Sequence, residues 1–325
     1  MCLSNNRYPS QAVDFSDTII LALEANIGGD IYHVLGYSNG VRSSGKPRPL
    51  HHIGGASDHS DFGWDVEPIR YATGNAMLFA IPAEPGTFND SGLMTTARYP
   101  HFMRDYARPF TRDGRAEDVS RTMIGFSKDH TTQVVKGFDE DTYDVIISSK
   151  ASAIPSVIDQ VDLAKRPAVN QALYNQMDIL YPGWTFVLFC FEEMEKEQQG
   201  CALMRYKPMK QYSHLLYAPG LDGHNGEVER GNVHLNHTVI VGTYNYAKTA
   251  ATERVYFRED GIRHGMPWLS DRVIGRSYAV GTEVPQGDFL FLLEDVRQGN
   301  YRARRMQPPG WGSVFGAPTT KPVYI

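Results

Sequence analysis

The sequence predicts an α+β protein that is rich in β-strands, with mainly antiparallel sheets and a helical pair at about residues 154–181 packed on one face. Short apolar and β-branched segments recur about every ten residues with turn residues between them, which is typical of an antiparallel meander. The clearest helical periodicity lies in the segment 154–181. Residues 185–191, TFVLFCF, are apolar without alternation, as expected for a central strand that is covered on both faces.

Strands dominate the first 150 residues. Asn39-Gly40 is a strong type I′ signal and predicts a hairpin turn. A short helix is predicted over residues 100–106. The polar stretch 46–65 is too long for an ordinary connection, so we expect a functional loop or an interaction arm there. The strands of this part are predicted at 18–25, 31–37, 75–82, 121–126, 131–136 and 142–148.

The two predicted helices follow in the middle of the chain. In the first, apolar residues recur at i, i+3, i+4 and i+7, and Pro155 is tolerated in the first turn because an N–H there would have no helical partner. The second helix opens at Pro167 and ends before Pro182-Gly183. The apolar stripes are Ile154, Val157, Ile158 and Val161 in the first helix, and Val169, Leu173, Met177 and Leu180 in the second.

The last part of the chain returns to strands and ends in an irregular tail. The tail, residues 308–325, keeps the aromatic residues Trp311, Phe315 and Tyr324, so we expect it to dock on a surface. The chain as a whole is predicted to be a single large domain over 1–325. If it is divided, the expected parts are a β-rich half (1–150), an α+β half (151–307) and the docking tail (308–325). The strands are predicted at 185–191, 201–206, 215–217, 233–244, 254–257 and 288–293.

Composition places the chain among ordinary globular proteins, since 42% of its 325 residues are hydrophobic and 21% are charged. The net charge of -5 opposes capture of nucleic acid or of an anionic membrane by the whole surface. The one basic cluster, Arg302, Arg304 and Arg305, is interpreted as a solvated strand end rather than a phosphate site.

The N-terminus and the apolar runs predict a chain without a secretory signal or a membrane-spanning helix. The first residues, MCLSNNRYPS, do not form a secretory signal. The longest apolar run, Trp184–Phe191, is far shorter than the roughly twenty residues that a membrane helix needs. Three cysteines without a CxxC spacing suit a reducing compartment. A soluble, cytoplasmic protein is therefore expected.

The segment 213–242, SHLLYAPGLDGHNGEVERGNVHLNHTVIVG, is the strongest candidate for chemistry. Imidazole and carboxylate groups are common ligands of zinc. The spacing matches no zinc motif such as HExxH. The groups in question are four of the eleven histidines, His214, His224, His234 and His237, with the acids Asp222, Glu227 and Glu229.

Strand alternation divides this segment into two sets. In a strand over 233–241, His237 shares a face with Val239 and other apolar residues, whereas His234 lies on the opposite face. His237 is therefore expected to be a core histidine. The set left for a divalent metal such as zinc is His224, His234 and Asp222, with Glu227 or Glu229 as the general base.

Signals for other kinds of catalysis are sparse. Removal of Met1 would expose Cys2 as an N-terminal nucleophile, as in class II glutamine amidotransferases, but the following residues, LSNNRYPS, do not resemble the glycine-rich strand of those enzymes. Cys190 lies in an apolar run and is interpreted as a core residue. The P-loop and GxGxxG signatures are absent.

The sequence therefore leaves open whether the chain is an enzyme. The leading hypothesis is a non-catalytic self-assembling or binding protein that uses no cofactor, forms a homo-oligomer and binds neither nucleic acid nor a membrane. The aromatic tail and the long polar loops favour it, because aromatic residues in extended segments make good interface anchors. The alternative is a metal-dependent hydrolase that uses the His/Asp cluster at 214–237.

Overall fold

A computed structural model describes residues 2–3, 13–43, 74–110, 132–192, 198–223, 226–228, 230–250, 254–257 and 262–311. The strands in these ranges are β1 (Cys2–Leu3), β2 (Val13–Ile27), β3 (Asp30–Ser43), β4 (Asn75–Ile81), β5 (Thr132–Gly137), β6 (Tyr143–Ser148), β7 (Thr185–Phe191), β8 (Gln198–Tyr206), β9 (Leu215–Ala218), β10 (Asp222–Gly223), β11 (Asn232–Thr243), β12 (Val255–Tyr256), β13 (Arg272–Pro285), β14 (Asp288–Leu292) and β15 (Arg304–Met306). The helices are α1 (Phe102–Ala107), α2 (Phe138–Asp141), α3 (Gln171–Leu180), α4 (Ile262–Gly265) and α5 (Leu293–Arg297). Short 3₁₀ helices lie at Asp90–Gly92, Arg108–Phe110, Ala151–Ser156, Ile158–Gln160 and Lys210–Tyr212.

The strands form three larger sheets and one two-stranded pair. The six-stranded sheet has the order β12-β13-β11-β2-β3-β8, the four-stranded sheet β4-β7-β6-β5, and the three-stranded sheet β15-β14-β9. Neighbours are antiparallel except in the pairs β11–β2 and β1–β10. The prediction of a β-rich α+β protein with mainly antiparallel sheets is confirmed. Strands from both sides of residue 150 pair within the six-stranded sheet.

Two apolar cores lie on the two faces of the six-stranded sheet. On the inner face, Ala22 and Tyr37 pack toward the four-stranded sheet, where the Tyr37 and Phe79 rings meet edge to face with centroids 5.2 Å apart. On the outer face, Leu21 packs in a second core with Phe102 of α1. Successive side chains of a strand point to opposite faces. The position of a polar residue in β2 or β3 therefore decides which of the two cores it faces.

β7 is the central strand that its unbroken apolar run predicts. It lies between β4 and β6, and all of its residues are buried. Leu173 and Met177 of α3 belong to the same core. Cys190 is fully buried in β7, and this burial raises the pKa of its thiol, so Cys190 is a core residue as expected.

The predicted helical pair is present only in part. The second member is α3, and Asn170 Oδ1 caps it by accepting the N–H of Leu173 at 3.1 Å. In place of the first member there are two short 3₁₀ helices, Ala151–Ser156 and Ile158–Gln160. Pro155 has no N–H to donate and restricts the residue before it, which explains why an α-helical ladder does not develop there.

The hairpin turn predicted at Asn39-Gly40 is wrong. Both residues lie inside β3, which pairs there with β2 and β8. The chain reverses at Gly28-Gly29, whose φ values of 65° and 95° fit a two-residue turn of the primed type. Glycine takes this left-handed backbone without a Cβ clash, so the Gly-Gly pair provides the turn that we assigned to Asn-Gly.

Some sequence predictions lie outside the described residues. These are the strand at 121–126, the stretch 46–65 and the tail beyond Trp311. Where the tail begins, Trp311 is buried and its ring lies 5.6 Å from the Arg230 guanidinium. No helix in the described ranges is long and apolar enough to cross a membrane.

Candidate functional site

β11 confirms the division of the histidine segment by strand alternation. Leu235 and His237 are buried, whereas His234 and Asn236 are exposed. His237 is only 7% exposed, so it is the core histidine that the apolar face predicts. His234 lies in register with the exposed Glu283 of β13.

Two of the three predicted metal ligands are placed by the structure. Asp222 of β10 is half-buried, and its backbone exchanges two hydrogen bonds with the Gln286 side chain, at 2.9 and 2.5 Å. His234 is exposed on β11. His224 lies outside the described residues. In the described ranges neither Asp222 nor His234 belongs to a group close enough to hold a metal ion, so the zinc site stays a prediction, which metal analysis of the purified protein tests.

The other candidates in and near this segment are placed as follows. Glu227 is exposed, and Glu229 lies outside the described residues. His214 is exposed just before β9. The backbone of Cys2 pairs with Asp222 through β1 and β10, and the hypothesis of a Cys2 nucleophile stays a prediction.

Three carboxylates elsewhere lie close enough to hold a metal ion. Oxygens of Asp141, Asp144 and Asp162 are within 4.8 Å of one another. Lys165 already supplies positive charge, with Nζ at 2.5 Å from Asp141 Oδ1 and 3.5 Å from Asp144 Oδ1. Lys136 Nζ lies 3.5 Å from Asp162 Oδ1. Because two ammonium groups pair with the three acids and offset most of their charge, we interpret these five residues, the Asp144 centre, as an ion-pair network that stabilises the fold.

Hydrogen bonds keep the buried Asp144 ionised. Burial alone would raise the pKa of Asp144, which has no exposed surface. The N–H groups of Asp162 and Gly137 donate to its carboxylate at 2.9 and 3.0 Å, and with the Lys165 ammonium they outweigh burial and lower the pKa. These groups of the chain therefore stabilise the ionised form of Asp144.

The turn before Asp144 is strained. Asp139, Glu140 and Asp141 in α2 have φ values of 54°, 56° and 66°, a left-handed backbone that is costly for residues with a Cβ. The Asp139 carboxylate holds the turn by accepting the N–H groups of Thr96 and Ala97 at 2.7 and 2.8 Å. These contacts offset the strain and fix Asp141 beside Lys165.

A second buried polar cluster lies on the inner face of the six-stranded sheet. Glu24 of β2 has no exposed surface and accepts Arg297 Nη2 and Thr243 Oγ1, each at 2.5 Å. Strand register places Thr243, Glu24 and His33 side by side on neighbouring strands. Burial, with the Arg297 charge, lowers the pKa of His33 to about 4, so His33 is neutral at neutral pH. We call these four residues the Glu24 centre.

A third buried cluster surrounds Asp288 of β14. Its carboxylate accepts Tyr181 Oη at 2.7 Å and the Gly220 N–H at 2.9 Å, and Asp288 has no exposed surface. Burial raises the pKa of Asp288 despite these hydrogen bonds. We call these three residues the Asp288 centre.

Arg305 contradicts our interpretation of the basic cluster near the C-terminus. It is only 7% exposed, and its guanidinium lies 4.2 Å from the ring centroid of Phe289, its register partner. Burial lowers the pKa of Arg305 to about 10. Arg302, by contrast, is exposed. The interpretation as a solvated strand end is therefore wrong for Arg305, because the aromatic residue on β14 covers it.

An open pocket with a volume of about 450 Å³ lies at the edge of the six-stranded sheet, where β8 ends. One wall comes from the loop 84–92, and the other comes from residues at the ends of β3 and β8. Its lining residues are Tyr32, Glu84, Thr87, Phe88, Asn89, Ser91, Gly92, Arg205, Tyr206, Lys207, Pro208 and Lys210.

Three cations line this pocket, which we call the basic pocket. Arg205 and Lys207 lie 5.3 and 5.4 Å from the ring centroid of Tyr32. Lys207 also meets the exposed Asp30 at 3.5 Å. In the part of the chain that the structure describes, Arg205 and Lys210 have no ion-pair partner. The pocket therefore presents positive charge that the described chain leaves uncompensated.

Backbone contacts hold the walls of the basic pocket together. The Met94 N–H donates to a β8 carbonyl at 2.8 Å, and the Met209 N–H donates to the Pro82 carbonyl at 2.7 Å. Gly92 permits the close approach of the loop, because a Cβ there would lie 2.4 Å from Phe88 Cε2. The pocket is preformed, as small-molecule sites usually are.

Sequence patterns do not reveal the basic pocket. The segment 205–210, RYKPMK, carries its three cations, and alternation puts Arg205 and Lys207 on one side of a strand end. The same pattern is typical of a solvated strand end. Only the tertiary structure places it opposite the loop 84–92.

In comparisons with known proteins, no protein-family model, no curated protein and no solved structure matches the chain. Function is therefore argued from the geometry of the basic pocket and of the buried centres.

Proposed function

We propose that this chain is a binding protein that holds a small anionic molecule in the basic pocket. The observation that carries the proposal is the convergence of Arg205, Lys207 and Lys210 on one cavity in which Glu84 is the only acid among the described lining residues. The chain as a whole has a net charge of -5. A local cluster of cations on an acidic protein concentrates anions at that place.

The hydrogen bonding and the exposure of the pocket cations support an anionic ligand. The Arg205 Nε donates to the Ser91 carbonyl at 3.2 Å, which orients the guanidinium without neutralising it. Lys210 is exposed and has no ion-pair partner among the described residues. A guanidinium and an ammonium together bind phosphate or carboxylate oxygens through charge-assisted hydrogen bonds.

The size and shape of the cavity support a small molecule as the ligand. About 450 Å³ lies within the usual range of small-molecule sites. Tyr32 is half-buried and gives the cavity an accessible aromatic ring beside Arg205 and Lys207. A ligand can therefore bury part of a carbon skeleton against this ring while its charge meets the cations.

Calorimetric titration with inorganic phosphate tests the proposal. We expect saturable binding that weakens with added sodium chloride, because salt screens the attraction. The double variant Lys207→Gln/Lys210→Gln should bind about tenfold or more weakly, since each lost charge-assisted hydrogen bond removes about 1.5 kcal/mol or more. Lys150→Gln, an exposed lysine that does not line the pocket, is the matched control and should bind as the native chain does. Equal affinity of the double variant and the native chain would refute the proposal.

Self-association stays a prediction from the aromatic tail. Trp311 is buried against its own chain, so the residues left for a partner are Phe315 and Tyr324. Light scattering on two truncated chains, one ending at Trp311 and one at Gln307, separates a role of the tail in assembly from a role of Trp311 in stability. If the tail beyond Trp311 drives assembly, the first truncation lowers the molar mass without loss of stability, and the second also destabilises the fold. A monomeric full-length chain would contradict the prediction.

A further inference from the structure

We infer that the ligand of the basic pocket is an anionic polyol, a small hydroxylated molecule with a phosphate or carboxylate group, and that Glu84 binds its hydroxyl groups. This inference rests on the proposed function and specifies the class of ligand. It follows from a second charged pole in the pocket, opposite in sign to the cations.

Glu84 is the negative pole. It lines the same cavity as Arg205, Lys207 and Lys210, yet its carboxylate lies within 4.0 Å of none of them. It is exposed and has no ion-pair partner in the described ranges. The acid therefore does not neutralise the cations, and the pocket keeps separate positive and negative poles.

The backbone of Glu84 is fixed in place. Its carbonyl accepts the Thr87 N–H at 3.0 Å and the Thr87 Oγ1 at 2.7 Å, which closes the turn that carries it. An ionised carboxylate only accepts hydrogen bonds. A ligand group that lies against Glu84 must therefore donate, as a hydroxyl does, and a second anionic group would be repelled.

Asn89 provides a hydrogen-bond donor at the pocket wall, whereas the Glu84 carboxylate provides only acceptors. The Asn89 Oδ1 accepts the N–H of Ser91 at 3.0 Å and the Oγ of Ser91 at 2.7 Å, and this fixes the amide orientation. The Nδ2 group of Asn89 has no hydrogen-bond partner among the described residues, so it remains a donor at the pocket wall. A hydroxyl both donates and accepts, so neighbouring hydroxyl groups can satisfy Glu84 and Asn89 together.

Two ligands of equal charge test this inference. Ribose 5-phosphate carries hydroxyl groups, and butyl phosphate carries an apolar chain in their place. We expect the native chain to bind ribose 5-phosphate about tenfold more tightly, the effect of one or two hydrogen bonds to a charged group. Gluconate identifies the anionic group, since binding equal to that of ribose 5-phosphate indicates that a carboxylate suffices, and weaker binding indicates phosphate.

Glu84→Gln provides the decisive comparison. It should weaken binding of ribose 5-phosphate while leaving butyl phosphate unchanged or strengthening it, because repulsion of the anion is removed. Glu283→Gln, which changes an exposed acid of β13 that does not line the pocket, should change neither affinity. If both phosphates bind the native chain equally and Glu84→Gln changes them alike, this inference is overturned while the anion site stands. If inorganic phosphate and both esters fail to bind, the proposed function itself fails.

Discussion

The basic pocket and the Glu24 centre both contain charged side chains, but among the described residues the Glu24 centre pairs its buried carboxylate with a cation, whereas two cations of the pocket lack an acidic partner. In the Glu24 centre, the buried carboxylate accepts two hydrogen bonds at 2.5 Å, from Arg297 and Thr243. In the basic pocket, Arg205 and Lys210 have no ion-pair partner in the described part of the chain. The Glu24 centre therefore uses its charges to stabilise the fold, whereas we propose that the basic pocket uses its charges to bind a ligand.

Burial explains why the two regions differ. A charge removed from water must be paired inside the protein, because its desolvation costs several kcal/mol. Glu24 has no exposed surface and is paired, whereas Lys210 is exposed and keeps its hydration when no ligand is present. Substitutions in the first region should therefore change stability, and substitutions in the second should change binding.

The largest expected effect is the loss of the Arg297 guanidinium. Arg297→Met keeps much of the side-chain volume but leaves Glu24 charged and buried without its ion-pair partner. We expect the free energy of unfolding in urea to fall by about 3 kcal/mol or more. The double variant Arg297→Met/Glu24→Met, which removes both charges, should recover part of this loss. If Arg297→Met and the pocket variant Lys210→Met destabilise the chain equally, the Glu24 centre and the basic pocket do not differ in how much their charges stabilise the fold.

The next effect concerns the wall of the basic pocket. A Cβ at Gly92 would lie 2.4 Å from Phe88 Cε2 and 3.0 Å from the Arg205 carbonyl, so Gly92→Ala must displace the loop. We expect a loss of about 1–3 kcal/mol in the free energy of unfolding, typical of overpacking, together with weaker phosphate binding. Gly281→Ala is the matched control, because no atom lies within 4 Å of its added Cβ. Normal phosphate affinity in Gly92→Ala would show that the loop does not shape the site.

Two buried acids, Asp144 and Asp288, should respond to pH in opposite directions. The folded pKa of Asp144 is below its ordinary value of 3.8, so its contribution to stability is present above that pH and is lost as pH falls through the folded pKa. The folded pKa of Asp288 is above 3.8, so its contribution is present below that pH and is lost as pH rises through the folded pKa. A tenfold change in the acid dissociation constant on folding alters the free energy of unfolding by about 1.4 kcal/mol.

Urea unfolding over a range of acidic to neutral pH measures this contrast. The destabilisation caused by Asp144→Asn should be larger at neutral pH than in acid, and that caused by Asp288→Asn should be larger in acid than at neutral pH. Parallel pH dependence of the two variants would show that their environments do not differ as the hydrogen bonds and burial indicate.

Local patterns in the sequence were enough to predict the strands that carry these regions. The unbroken apolar run of β7 predicts a strand that is covered on both faces, and alternation in β11 separates the buried His237 from the exposed His234. Both inferences depend only on neighbours along one strand. The Gly28-Gly29 turn was missed because Asn39-Gly40 is an equally local turn signal. The 3₁₀ helices near Pro155 were missed because the apolar stripe there also fits an α-helix.

The polar clusters and the pocket could not be predicted in this way, because their partners are distant in the chain. Glu24 meets Arg297 across 273 positions, and Asp288 meets Tyr181 across 107. The position of Glu24 in an apolar strand does not by itself predict which cation pairs with it. The predicted ligands His224, His234 and Asp222 were chosen for their proximity in sequence. The cations of the basic pocket form a pocket only because the loop 84–92, which is distant in the sequence, provides the opposite wall.

The smallest expected effect is the most direct test of the contrast between the two regions. Lys210→Gln, measured in chloride buffer without phosphate, should leave the free energy of unfolding within about 0.5 kcal/mol of the native value, as for most exposed positions. A slight gain is expected at low ionic strength, because Lys210 shares the cavity with Arg205 and Lys207 and the three cations repel one another. Added phosphate should then stabilise the native chain more than the variant, since a ligand that binds only the folded state raises stability by an amount that grows with the ratio of its concentration to its Kd. A loss above about 1 kcal/mol in chloride buffer would mean that Lys210 supports the fold, and its lack of a partner would no longer mark a ligand site.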